Sequence, residues 1–411
     1  MTKDTDTYYA TLPCGARIVH RRTPSPVVYT GIMVGAGTRD ERPEQNGIAH
    51  YIEHCVFKGT THHTARRLIN RIEDIGGEIN AYTTKEETTF YAATPAEHYA
   101  RTIRLIADMV FRPTFPKQET DKELGVILDE IESYNDSPSE LIYDDFESLL
   151  FRGHPLALPV LGTRKTLRSI SRSPQTPVAW MQEHYLPERM VFFSQGNLPF
   201  ATVLRCVTAL TDSLDRHGSL VRTAPPPPEP RSETFRRHTH QTHLMLGARA
   251  FPLGHPDQLA AYLLNMILGG GSLNSRLNLS LREKHGLVYT VESQYTPLSD
   301  TGYWSVYYAC EAQHSQRCFD LVLSELRRLR REPLTSARMA RILTQLHGQM
   351  AIADENRENS ALTMAKQMLY YGYAPTWQET FDNITRLTPI HLTDVANQLF
   401  NESNLSVLTY N

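Results

Sequence analysis

Neither sign of charge dominates this chain of 411 residues: 42 lysines and arginines stand against 45 aspartates and glutamates, for a formal net charge of −3. The basic excess that neutralises phosphates is missing, which argues against a nucleic-acid partner. Long hydrophobic runs are missing too. None approaches the ~20 apolar residues that span a bilayer, so no membrane partner is expected. The opening stretch MTKDTDTYYATLPCGARIVH lacks a basic head followed by an apolar core, so no leader peptide is expected. Cysteine is scarce: Cys14, Cys55, Cys206, Cys310 and Cys318 are scattered, odd in number and without a C-x-x-C pair. Neither a disulfide framework nor a cysteine zinc site fits, and a reducing cytoplasm is the expected location.

What is present suggests two domains. The chain is long for one core and natural for two of about 200 residues each. Its composition breaks once, at Pro225–Pro228, four prolines in a row followed by Glu229 and Pro230. Such a run favours polyproline II and acts as a stiff spacer. The expected division is therefore 1–215, a linker over 216–233, and 234–411. Val27 to Gly35, Met190 to Ser194, His243 to Phe251 and Tyr303 to Cys310 read as strands. Ala96 to Phe111, Pro116 to Tyr134 and Ser336 to Tyr371 have helical apolar spacing. In each half a strand leads through a loop into a helix, ending at Gly59 in the first and near Gly269-Gly270 in the second. The fold class expected is α+β, with two similar domains, each an antiparallel or mixed β-sheet flanked by helices.

The chemistry concentrates in Gly47-Ile48-Ala49-His50-Tyr51-Ile52-Glu53-His54, which contains H-x-x-E-H. On a helix His50 and His54 are i and i+4, so both imidazoles leave one face about one turn apart. That separation suits two nitrogens converging on a metal, with Glu53 beside them able to take a proton from water held there. The plain alternative is a solvated helix face. Two histidines also leave a protein ligand missing.

Further motifs carry a resemblance. Gly37-Thr38-Arg39-Asp40-Glu41, Phe57-Lys58-Gly59-Thr60, Gly76-Gly77-Glu78-Ile79-Asn80-Ala81-Tyr82-Thr83 and His154-Pro155-Leu156 flank H-x-x-E-H. Ser275-Arg276-Leu277 and Leu281 to Tyr289 follow in the second half. This pattern resembles the pitrilysin, insulin-degrading enzyme and mitochondrial processing peptidase family, whose inverted motif marks the inverzincins. The resemblance implies a zinc metalloendopeptidase, one half of a clamshell, with one zinc per chain. It implies His50, His54 and, on a later helix, Glu130 as ligands, Glu53 as general base, and Glu123 as an acidic support. It further implies that Arg282 holds substrate backbone and that Tyr289 hydrogen-bonds the oxyanion, both facing a zinc site from the opposite wall. Asn80 and Ala81 are carried over as an edge that binds substrate main chain by strand addition. Without the resemblance, Tyr289 reads as a core aromatic and Arg282 as a surface charge.

The partners expected are a peptide or unfolded small protein and a second copy of the chain, or a paralogous chain, to close the chamber. A catalytically silent or recognition subunit of a heteromeric processing peptidase is the alternative. A zinc-stabilised peptide binder without turnover fits less well, because Glu53 is present. His62-His63 and His238, His240 and His243 lack an acidic partner in sequence and are read as ordinary surface and strand residues; Arg236 to His243 reads as the start of a strand.

Overall fold

The computed structural model describes residues 7–212, 214, 216–218, 221–237 and 239–411. The chain forms two compact units. Among the described residues no helix is long and apolar enough to cross a membrane, and the five cysteines are free.

The first unit comprises Met1–Ile131, Leu158–Arg222 and Ile352–Thr376. Its sheet contains β1 (Thr7–Thr11), β2 (Arg17–Arg22), β3 (Val27–Val34), β4 (Glu78–Thr83), β5 (Thr88–Pro95) and β6 (Met190–Gly196) in the order β1-β2-β6-β3-β5-β4. β2 and β6 are parallel, and the other pairs are antiparallel. Helices α1 (Ile48–Cys55), α2 (Ala65–Glu73), α3 (Tyr99–Phe111) and α4 (Lys117–Asn135) follow in chain order. The period of two along a strand sorts the core. Val28, Ile32, Val34, Phe90 and Phe192 pack with α1 and α3, whereas Met33, Tyr91, Val191 and Phe193 pack on Ala361, Met364, Ala365 and Met368 of the helix Arg357–Tyr371. Both faces are thus covered, which is why β6 is buried along its whole length.

The second unit comprises Glu132–Ala157, Thr223–Ala351 and Trp377–Asn411. It contains α5 (Pro138–Leu150) and the strands β7 (Ser232–Phe235), β8 (Thr242–Ala250), β9 (Val288–Pro297), β10 (Gly302–Cys310) and β11 (Ser406–Tyr410), ordered β7-β11-β8-β10-β9. β7 and β11 are parallel and the remaining pairs antiparallel. Taking β7, β11, β8, β10 and β9 for β2, β6, β3, β5 and β4, the order and every strand direction repeat. Here Trp304, Val306 and Tyr308 face Leu263, Val322 and Leu326, while Tyr303 and Tyr307 face Ile142 and Phe146 of α5.

The two contiguous halves expected from sequence are corrected in one respect. Each unit takes a segment from the opposite half: 352–376 lies with the first sheet and 132–157 with the second. The physical reason is the second apolar face of each sheet, which these helices cover. Two smaller corrections belong to the second unit. Arg236 and Arg237 follow β7, and the next strand begins only at Thr242, so Arg236 to His243 is not one strand. His243 hydrogen-bonds the Tyr307 hydroxyl at 2.8 Å instead of facing other histidines, and His240 is on the surface. His238 lies outside the described residues, as do parts of the 216–233 segment.

Candidate metal centre

The helix that carries His50, Glu53 and His54 is fixed at its first turn by a carboxylate. Gly47 stands before α1 at φ +88°, a left-handed conformation that glycine adopts without strain. A Cβ there would also lie 2.7 Å from the Gly162 Cα. The free N–H groups that begin any helix need acceptors. Glu41 supplies them: its Oε2 accepts from the Gly47 N–H at 2.7 Å and its Oε1 from the Ala49 N–H at 2.9 Å. Asn46 Nδ2 donates to the same carboxylate at 3.0 Å. Burial pushes the Glu41 carboxyl up to about 8, with these N–H donors and Lys85 opposing.

From α1 both imidazoles turn toward one oxygen of Glu130 on α4. His54 Nε2 is 3.4 Å from Glu130 Oε2, and His50 Nε2 is 3.8 Å from the same atom. Among the described residues, His50, His54 and Glu130 are a group whose ligand atoms all lie within 4.8 Å of one another. Four donors around zinc at its usual bond lengths would sit about 3.3 Å apart. Two nitrogens and one carboxylate oxygen suit zinc in kind as well as in spacing.

A second carboxylate stands behind. Glu123, two turns earlier on α4, accepts at 2.9 Å from His54 Nδ1, and its other oxygen is 2.6 Å from Lys58 Nζ. The ring of His54 is thereby oriented with Nε2 toward Glu130. Before a metal binds, burial and the neighbouring His54 hold the His50 imidazole at about 4, against the pull of Glu130. His50 is therefore neutral at physiological pH, the form in which an imidazole binds a metal. At His54 burial lowers the pKa, but hydrogen bonding to Glu130 and Glu123 outweighs it and the net shift is upward.

Glu53 lies beside this group. Its carboxyl is raised by burial, further by the Glu130 charge, with Thr83 and His54 opposing. Its Oε2 is buried without a hydrogen-bond partner, as is His50 Nδ1. An acidic oxygen left unpaired next to converging ligands fits a site that takes up a metal and a water, since burying such a group alone costs free energy. Asp129 and Glu132, neighbours of Glu130, are exposed.

Asn80 and Ala81 lie on β4, the edge strand of the first sheet, which packs against α1. Asn80 is exposed, and its own Oδ1 accepts from the Ala81 N–H at 2.8 Å. Arg282 and Tyr289 belong to the second unit. Arg282 sits in a π-helix, Asn278–Lys284, a rare form that recurs at functional sites. Tyr289 is 80 % exposed, so it is not a core aromatic. The Arg282 guanidinium lies 5.5 Å from the centre of the Tyr289 ring, so the two side chains form one cation–π pair. Glu41 and Lys58 are the residues whose part in the site the sequence did not assign. Both stand inside flanking motifs, but nothing in their spacing tells which donor or acceptor they meet.

Comparisons with known proteins identify the family. Residues 17–164 match the family described as insulinase (peptidase family M16), and residues 178–346 match the peptidase M16 inactive domain. The metal group lies within the first of these segments. An uncharacterized zinc protease of Bacillus subtilis is 31 % identical over 94 % of this chain and 94 % of its own length. Another, from Streptomyces coelicolor, is 31 % identical over 97 % of this chain and 88 % of its own. Among solved structures, a protease from Helicobacter pylori superposes with a TM-score of 0.90 at 19 % identity, covering 99 % of this chain and 100 % of its own. A peptidase M16 inactive domain from Pseudomonas fluorescens gives 0.90 at 20 % identity, covering 98 % and 97 %.

Proposed function

This chain belongs to the M16 peptidase family, and from that premise we propose that it is a zinc endopeptidase cutting peptides or small unfolded proteins, with one zinc per chain. The observation that carries the reading is the convergence of His50 Nε2, His54 Nε2 and Glu130 Oε2 beside the buried, unpaired Oε2 of Glu53. Zinc held there would polarise the scissile carbonyl and acidify water. Glu53, made more basic by burial, takes the proton of the attacking water and later delivers it to the leaving amine. Glu123 holds the His54 ring, and Lys58 neutralises Glu123. The edge of β4 binds substrate main chain once Asn80 releases the Ala81 N–H. The half-buried Arg282 and the exposed Tyr289, stacked on one another, hold substrate backbone and donate to the oxyanion. They do so from a second copy of the chain, so that two subunits close one chamber.

The reading is tested by stripping the protein with a chelator and restoring stoichiometric zinc. Cleavage of an unstructured peptide should disappear and return. Cleavage that persists in metal-free protein would overturn the assignment.

A further inference from the structure

We propose that the second unit contains a binding site for a small oxyanion, a phosphate or carboxylate group, between the Gly269–Arg276 loop and the helix Ser336–Asp354. A cavity of about 360 Å³ lies there, with Arg276, Arg338, Arg341, Asn274, Ser275 and Gln345 among its lining. Its size falls within the usual range for small-molecule sites.

Arg276 is the decisive residue. It is 6 % exposed, yet its Nε and Nη1 have no hydrogen-bond partner. Arg276 Nη1 forms an ion pair of 3.6 Å with Glu325 Oε2, too long for a hydrogen bond, and that oxygen likewise has no hydrogen-bond partner, while Nε faces no acceptor. The other oxygen of Glu325 is engaged by Arg328 at 3.0 Å. A buried guanidinium with open N–H groups is costly, and an oxyanion is the partner its planar fork fits.

The surroundings add charge of the same sign. Arg338, Arg341 and Gln345 follow one another at i, i+3 and i+7, so one helix face lines the cavity. Burial and the Arg338 charge depress the Arg276 guanidinium, with Glu325 opposing. Among the described residues, Arg276, Arg328, Arg338 and Arg341 gather beside the carboxylates of Glu325 and Glu332. The walls are already fastened: Asn274 and Gln345 exchange hydrogen bonds of 2.8 and 3.2 Å, and Gln349 donates to Ser272 Oγ at 2.8 Å. Met266 and Ile342 leave room for a small apolar group beside the anion. None of these residues belongs to the metal centre, so the site stands apart from the peptidase reading.

Calorimetric titration at constant ionic strength, with inorganic phosphate, phenyl phosphate and benzoate as probes, tests this. At least one probe should bind saturably to the intact chain, and which of them binds identifies the headgroup. Arg276→Gln should abolish that binding. Should that variant fail to fold, the double variant Arg338→Gln/Arg341→Gln, on an exposed helix face, should weaken it at least tenfold. Absence of saturable binding by all three probes, or equal binding by the double variant, would overturn the site.

Discussion

At His54, metal and proton compete for the same ring. Its pKa, lowered by burial but raised more by Glu130 and Glu123, stands above the ordinary value, whereas His50 is held at about 4. Below the raised value His54 carries a proton that zinc must displace, so affinity falls about tenfold per pH unit, and only one proton counts until the pH nears that of His50. Zinc competition titrations from pH 8 downward should show a slope of one. Glu123→Gln removes one of the contacts raising His54, so the edge should move to lower pH. At pH 8 the same variant should bind zinc about 10- to 100-fold more weakly. A slope of two would place the two histidines on an equal footing, and an unchanged affinity would detach Glu123 from the centre. The histidine pair was legible because a helix period fixes which side chains share a face. Glu130 and Glu123 were not legible that way: α4 follows α1 by some sixty residues, and only a resemblance supplied them. The exposure of Tyr289 could not be read either, since an aromatic in a strand says nothing about what covers it.

The element that sets the geometry is α1, and Glu41 is what holds its start. Glu41→Ala leaves the Gly47 and Ala49 N–H groups without their acceptor. The expected cost is about 1–3 kcal/mol, the range for leaving buried donors without their acceptor. Urea unfolding of the metal-free protein should show that loss, and zinc affinity should fall with it because two of the proposed ligands ride on the helix. A variant as stable as the parent would show that α1 is fixed by packing alone. Strand positions came through in the sequence because β-branched and aromatic runs such as Val27–Val34 and Gly302–Cys310 suit a sheet buried on both faces. The exchange of helices between the units did not. Ala361, Met364, Ala365 and Met368 mark an apolar stripe at i, i+3, i+4 and i+7, but a stripe names a face and never the sheet it will cover.

For the whole molecule, the proposed zinc ligands and the Arg282–Tyr289 pair fall in different units, and the proposed dimer has each subunit supply the pair to its partner's zinc. Two inactive variants should then rescue each other. Mixing Glu53→Gln with Tyr289→Phe gives hybrid dimers with one intact site, up to about a quarter of the parental activity for random exchange and independent sites. A mixture that exchanges subunits yet stays inactive would contradict the shared site. That the chain is a zinc peptidase is tested more directly by Glu53→Gln alone, with zinc content and cleavage of an unstructured peptide measured on one preparation. The expected result is one zinc per chain, as in the parent, with cleavage reduced by about 10²- to 10⁴-fold, the usual worth of a general base. Cleavage at the parental rate with zinc in place would contradict it.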